Sequence, residues 1–125
     1  MVYNRICIST DDTLNTYNTI TQILGIAPTE FKSNNKFDNS YGVWTYSVDI
    51  NDEEPYFDFI NNFLDILEPK FDSLEKIGIQ KDDISFWHLY EYDQQCSMEF
   101  QPLEMKRLGE SGITLCIDCW EKASE

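Results

Sequence analysis

Apolar and polar positions repeat along this chain with two distinct periods, and the switches between them mark its elements. Arg5-Ile-Cys-Ile-Ser-Thr10 is short and rich in β-branched residues, which predicts a first strand. Beyond Asp11 and Asp12, whose side-chain oxygens can cap a helix, Leu14, Tyr17, Ile20, Ile23 and Leu24 recur at helical spacing. That helix is expected to end at Gly25, with Pro28 preventing continuation. Its outer face is rich in Thr and Asn, modest helix formers, so it must depend on the packed stripe. Residues 29–41 are polar and turn-rich and predict a loop holding a weak strand. From Gly42 the period becomes two. Trp44, Tyr46, Val48 and Ile50 fall on one side and Thr45, Ser47 and Asp49 on the other, as in a half-buried strand.

The longest element is expected from Pro55, with Asp52-Glu53-Glu54 ahead of it suiting a helix start through the macrodipole. Ile60, Phe63, Leu64, Leu67, Phe71, Leu74 and Ile77 then form one sustained apolar face that ends near Gly78. Pro69 lacks an amide hydrogen and crowds the preceding turn, so a kink is expected there, with two helical pieces sharing a core face. Ile84–Tyr92 and Cys96–Gln101 read as a hairpin turning through Asp93-Gln-Gln, with Cys96, Met98 and Phe100 directed inward. A short helix from Pro102 to Leu108, closed by Gly109, should lead into a last strand over Gly112–Trp120. The predicted order is β-α-(β)β-α-β-β-α-β. This describes an α+β fold with a largely antiparallel sheet and helices packed on one face.

Length and composition narrow the class. The 125 residues suit a single domain spanning 1–125. Apolar residues make up 42% and aromatics 14%, well beyond what a disordered acidic tail carries. With 23 acidic side chains against 9 basic ones the net charge is −14, which argues against binding nucleic acid or anionic lipid. No apolar run approaches the ~20 residues of a membrane span, and the N-terminus lacks the pattern of a secretory signal. A cytoplasmic monomer is therefore expected.

No catalytic, metal or cofactor signature emerges. Cys116-Ile-Asp-Cys119 falls inside a strand pattern, where residues three apart face opposite sides, so structural cysteines are expected rather than a redox pair. A zinc site would need two further ligands, and Cys7, Cys96 and His88 lack knuckle spacing. His88, the sole histidine, lies between Trp87 and Leu89 with no nucleophile motif beside it, and reads as a packed or rim residue. The paired carboxylates Asp11-Asp12, Asp52-Glu53-Glu54 and Asp82-Asp83 each precede an element and suit capping or turns. What remains is the polar side of the longest helix. Asp58, Asn61, Asn62, Asp65, Glu68, Asp72 and Glu75 recur at three- or four-residue spacing opposite the apolar stripe. Such a face is either simply solvated or a docking surface for a basic protein, since complementary charge accelerates association. Trp87, Tyr90, Tyr92 and Trp120 could supply aromatic anchors, or could be core.

The order of motifs resembles the bacterial family catalogued as domain of unknown function 4279. The resemblance is carried by Ser9-Thr-Asp-Asp12, by Ile23-Leu-Gly-Ile-Ala-Pro-Thr29, and by Tyr41-Gly-Val-Trp44. It continues through Leu64-Asp-Ile-Leu-Glu-Pro-Lys-Phe-Asp-Ser-Leu74 and Leu108-Gly-Glu-Ser-Gly-Ile-Thr-Leu-Cys-Ile-Asp118. It brings no catalytic residues to transfer. Small acidic bacterial proteins of this kind recur as immunity proteins beside antibacterial toxins, including contact-dependent growth-inhibition nucleases. The resemblance thus implies a protein that binds and occludes a basic toxin, a ribonuclease being the expected case, with the helix face of residues 58–75 as the contact. The alternative is a regulatory or small-ligand-binding domain using the cleft between sheet and helices. A metal-dependent carboxylate hydrolase is the third class.

Overall fold

The computed structural model describes residues 1–30, 40–51, 53 and 56–123. Among these, four strands and four α-helices follow the order β1 (Val2–Ser9), α1 (Leu14–Leu24), β2 (Val43–Ile50), α2 (Phe59–Leu67), α3 (Phe71–Lys76), β3 (Ile84–Tyr92), α4 (Pro102–Ser111) and β4 (Thr114–Glu121). One sheet runs β2-β1-β3-β4. β1 pairs antiparallel with both β2 and β3, and β3 pairs parallel with β4. The fold is α+β, and its sheet is mostly antiparallel as the patterning predicts.

Register decides which side chains meet. Ile6 lies opposite both Tyr46 and Phe86, and Ile8 opposite both Trp44 and Ile84, so one sheet face is continuously apolar across three strands. The helices cover that face with Ile20, Phe59, Ile60, Phe63, Leu64, Leu67 and Leu74, all essentially inaccessible to water. On the other face, Tyr3, Arg5, Cys7, Trp87 and Leu89 are only half-buried.

The first helix stops at Gly25, whose φ of 71° is the left-handed conformation that favours glycine. It is capped by Thr13 instead of either aspartate, with Thr13 Oγ1 accepting from the Thr16 amide. Asp11 serves one step further out by accepting from Thr13 and Thr16, and these hydrogen bonds hold its carboxyl below the usual range. Asp12 adopts a positive φ and accepts from the Tyr41 amide, stapling the start of β2 to the end of β1. The loop expected at 29–41 lies largely outside the described residues.

The expected start of the long helix at Pro55 is corrected. Residues 56–58 are not helical, and α2 opens at Phe59 because Asp58 accepts from the Asn61 amide at 3.1 Å as N-cap. Pro69 interrupts the helix where expected. A single 3-10 turn at Glu68–Lys70 separates α2 from α3, and Leu64, Leu67 and Leu74 still share one core.

The expected hairpin does not form. Residues 93–101 make no strand, and Cys96, expected to face inward, is exposed. The reason is topological. β1 occupies one edge of β3 and β4 the other, so the segment after Tyr92 has no edge to pair with. It crosses over the covered face instead, and α4 makes the crossover that a parallel β3–β4 pair requires. α4 also runs past Gly109 to Ser111 and ends on Gly112, whose φ is 76°. The element order is accordingly β-α-β-α-α-β-α-β.

Candidate binding cavity and the acidic helix face

At the end of the sheet where β1 and β3 emerge from under α2, the covered face opens into a cavity of about 940 Å³. Its floor is polar. Asn4 and His88 sit opposite each other on β1 and β3, in line with Ile6 and Phe86, at 1% and 5% exposure. Burying two polar side chains there requires that they satisfy each other. Asn4 Nδ2 donates to the Val48 carbonyl at 3.4 Å, which leaves Asn4 Oδ1 as the acceptor for His88 Nδ1–H at 2.8 Å. The proton is thereby fixed on Nδ1. Burial pushes the His88 pKa down, so the ring is neutral near pH 7 and Nε2 carries a free lone pair. Among the described residues Nε2 has no hydrogen-bond partner.

The walls are aromatic. Phe59 stacks on the His88 ring at 5.1 Å between centroids, and Phe100 stands edge-on to both at 5.9 and 6.1 Å. Phe100 reaches this place because the 93–101 segment crosses the face. Phe59 backs the His88 ring from within the core, and Phe100, Tyr56, Phe57, Tyr90 and Tyr92 are the aromatic residues that line the cavity. The rim is acidic, with Asp58, Asp93, Glu99 and Glu104 against Lys122. The Tyr56 hydroxyl registers this environment. Its pKa is pushed up to about 12, first by burial and then by the carboxylates of Glu104 and Asp58.

The seven polar positions expected to form one docking face have divided roles. Asp58 caps α2, accepts from Asn61 Nδ2 at 2.7 Å and lines the cavity, while Asn62 Nδ2 donates to the Asp58 carbonyl. Asn61, Asp65 and Glu68 converge on Arg107 of α4. The guanidinium reaches Asn61 Oδ1 at 2.8 Å, Asp65 Oδ1 at 2.7 Å and both oxygens of Glu68 at 3.1 and 3.2 Å. Glu68 and Asp65 raise the Arg107 pKa further above its already high value. Asp72 and Glu75 remain exposed on α3. The helix face is thus partly occupied by the protein's own cation. Helical periodicity cannot reveal such a clasp, because it depends on where α4 docks.

The aromatic candidates also separate. Tyr90 shares the covered face with His88 and lines the cavity together with Tyr92. Trp87 and Trp120 lie on the opposite face, where Trp120 stacks on Tyr3 at 6.4 Å. Cys116 lies opposite Trp87 on that outer face and Cys119 opposite Tyr90 on the covered one, so the C-x-x-C string does not bring its thiols together. Cys119 instead adjoins Cys96, whose thiol pKa is raised by local desolvation and by this neighbour. Among the described residues no group of three His, Cys, Asp or Glu side chains is placed to hold a metal ion. No helix there is long and apolar enough to cross a membrane. No protein-family model matches the chain, and neither a curated protein nor a solved structure matches it.

Of the cavity residues, the sequence singled out His88, Asp58, Tyr90 and Tyr92, and the packed or rim position predicted for His88 agrees with where it lies. Asn4, Tyr56 and Glu104 went unnoticed. The available signal was Asn4 itself, a polar residue in phase with Ile6 and Ile8 on the buried side of a strand.

Proposed function

We propose that this protein is a non-catalytic binder that neutralises a basic protein toxin of the nuclease type by covering its substrate surface. The net charge of −14 on so small a domain is the observation that carries the proposal. A nuclease must hold a polyanion and so presents a cationic surface, and an acidic inhibitor can occupy it with no chemistry of its own. The family resemblance supports the same role, as do the carboxylates exposed on α3 and around the cavity. Co-expression with the product of the adjacent reading frame tests it. A stable complex that restores growth is expected, with an on-rate that falls between low and physiological ionic strength. A harmless neighbour, or no complex, would sink the proposal.

A second role is favoured by one specific observation. The cavity over His88 and Asn4 falls within the size range of small-molecule sites, with aromatic walls over a polar floor and an acidic rim. This supports a small-ligand-binding domain, tested by a gain in thermal stability with a bound compound.

A further inference from the structure

We propose that the cavity over His88 and Asn4 is a recognition site for an organic cation, a guanidinium or protonated amine carried on an apolar body. This deepens the small-ligand role and rests on it. Three features of the cavity ask for the same ligand. The floor offers an acceptor, because Asn4 holds the His88 proton on Nδ1 and leaves the Nε2 lone pair without a partner among the described residues. A ligand that donates a hydrogen bond satisfies it, whereas a carboxylate or phosphate brings only further lone pairs. Tyr56, Phe57, Tyr90, Tyr92 and Phe100 place aromatic rings around the same space, and ring faces attract cations. The rim sets Asp58, Asp93, Glu99 and Glu104 around the mouth, and Lys122 is the one cationic side chain among the described lining residues.

Some of these carboxylates already serve the fold, and they remain available. Glu104 accepts from the Gln101 amide at 3.3 Å and Glu99 from the Gln101 side chain at 3.2 Å, each through one oxygen. Their remaining lone pairs and their charge still act on the cavity, as the raised Tyr56 pKa shows for Glu104 and Asp58. The requirement is specific. An anion would meet the rim charges directly, and a neutral apolar ligand would leave Nε2 unpaired.

Benzamidine, benzamide and benzoate form a series of nearly constant shape that steps from a cationic donor through a neutral amide to an anionic acceptor, and amide and side-chain NMR shifts of the full chain report where each binds. Benzamidine is expected to perturb His88, Asn4 and Tyr90, with benzamide weaker and benzoate silent. Agmatine and a capped peptide with a central arginine then distinguish a free cation from a side chain presented by a protein; binding of either one supports the site. The paired change Asp58→Asn with Glu104→Gln keeps both caps and removes two charges, and should weaken benzamidine roughly fivefold or more. Benzamide binding as tightly as benzamidine would overturn the cation specificity and leave a ligand cavity standing. If no member of the series perturbs the cavity residues at millimolar concentration, both the specificity and the small-ligand role fail.

Discussion

His88 Nδ1 and Asn4 Oδ1 lie 2.8 Å apart across the β1–β3 pair, 84 residues distant in sequence, and each is the reason the other can be buried. Removing one partner leaves the other unsatisfied under Phe59 and Phe100. Asn4→Ala is therefore expected to cost about 1–3 kcal/mol, read as a lower urea midpoint with unchanged slope.

The same pair makes stability depend on pH in a definite direction. Burial lowers the folded pKa of His88 below the unfolded value near 6.5. As the pH falls through that value the unfolded chain takes up a proton that the folded one resists. His88 thus contributes stability that is full above about pH 6.5 and lost progressively below it. The carboxylates at the cavity, Asp58 and Glu104 among them, and the aromatic rings of Phe59, Tyr90 and Phe100 stay in place in a His88→Gln variant. Comparing urea midpoints of the two proteins between pH 7.5 and 5 isolates the histidine. An equal slope in both would remove His88 as the source.

Arg107 joins α4 to α2 through Asn61, Asp65 and Glu68, with about a third of its side chain exposed. Partial exposure limits its value to about 1 kcal/mol despite the number of contacts. Arg107→Ala should lose that amount at low salt and less in about 0.5 M salt. Arg107→Lys should recover little of it, since an ammonium cannot span both oxygens of Glu68 while reaching Asp65.

Two residues of the predicted helical stripes should behave oppositely. Phe63 is inaccessible and stands edge-on to Tyr46, Phe57, Phe59 and Phe86, so Phe63→Ala is expected to cost about 3–5 kcal/mol. Leu14 is 49% exposed at the start of α1, and Leu14→Ala should change stability by under about 0.5 kcal/mol. Thermal or urea denaturation of the two variants checks the contrast.

Mild oxidation should join Cys96 to Cys119, which lies near enough to raise the Cys96 thiol pKa, and leave Cys116 reduced. Peptide mapping by mass spectrometry reads the pairing. A Cys116–Cys119 linkage would contradict the strand placement of both residues.

Local pattern determined a good deal of this protein. The alternation of Trp44, Tyr46, Val48 and Ile50 made β2, the spacing of Ile60 through Leu74 made a helix with one buried face, and Pro69 broke it. These features act over a few residues, so neighbours in sequence suffice to specify them. Gly25 is legible for the same reason, because the left-handed turn it closes is local.

Tertiary structure decided the rest. Cys96–Gln101 carries the alternation of a strand, yet no strand forms, because β4 returns through α4 to take the edge that a hairpin would have used. That choice sends Phe100 across the sheet and walls the cavity. The acidic helix face likewise looked continuous until α4 brought Arg107 against Asp65 and Glu68. The sequence alone determined that the chain is a small acidic α+β domain. Sheet order and helix docking are long-range, and they decided which carboxylates meet an internal cation and which surround His88 and Asn4.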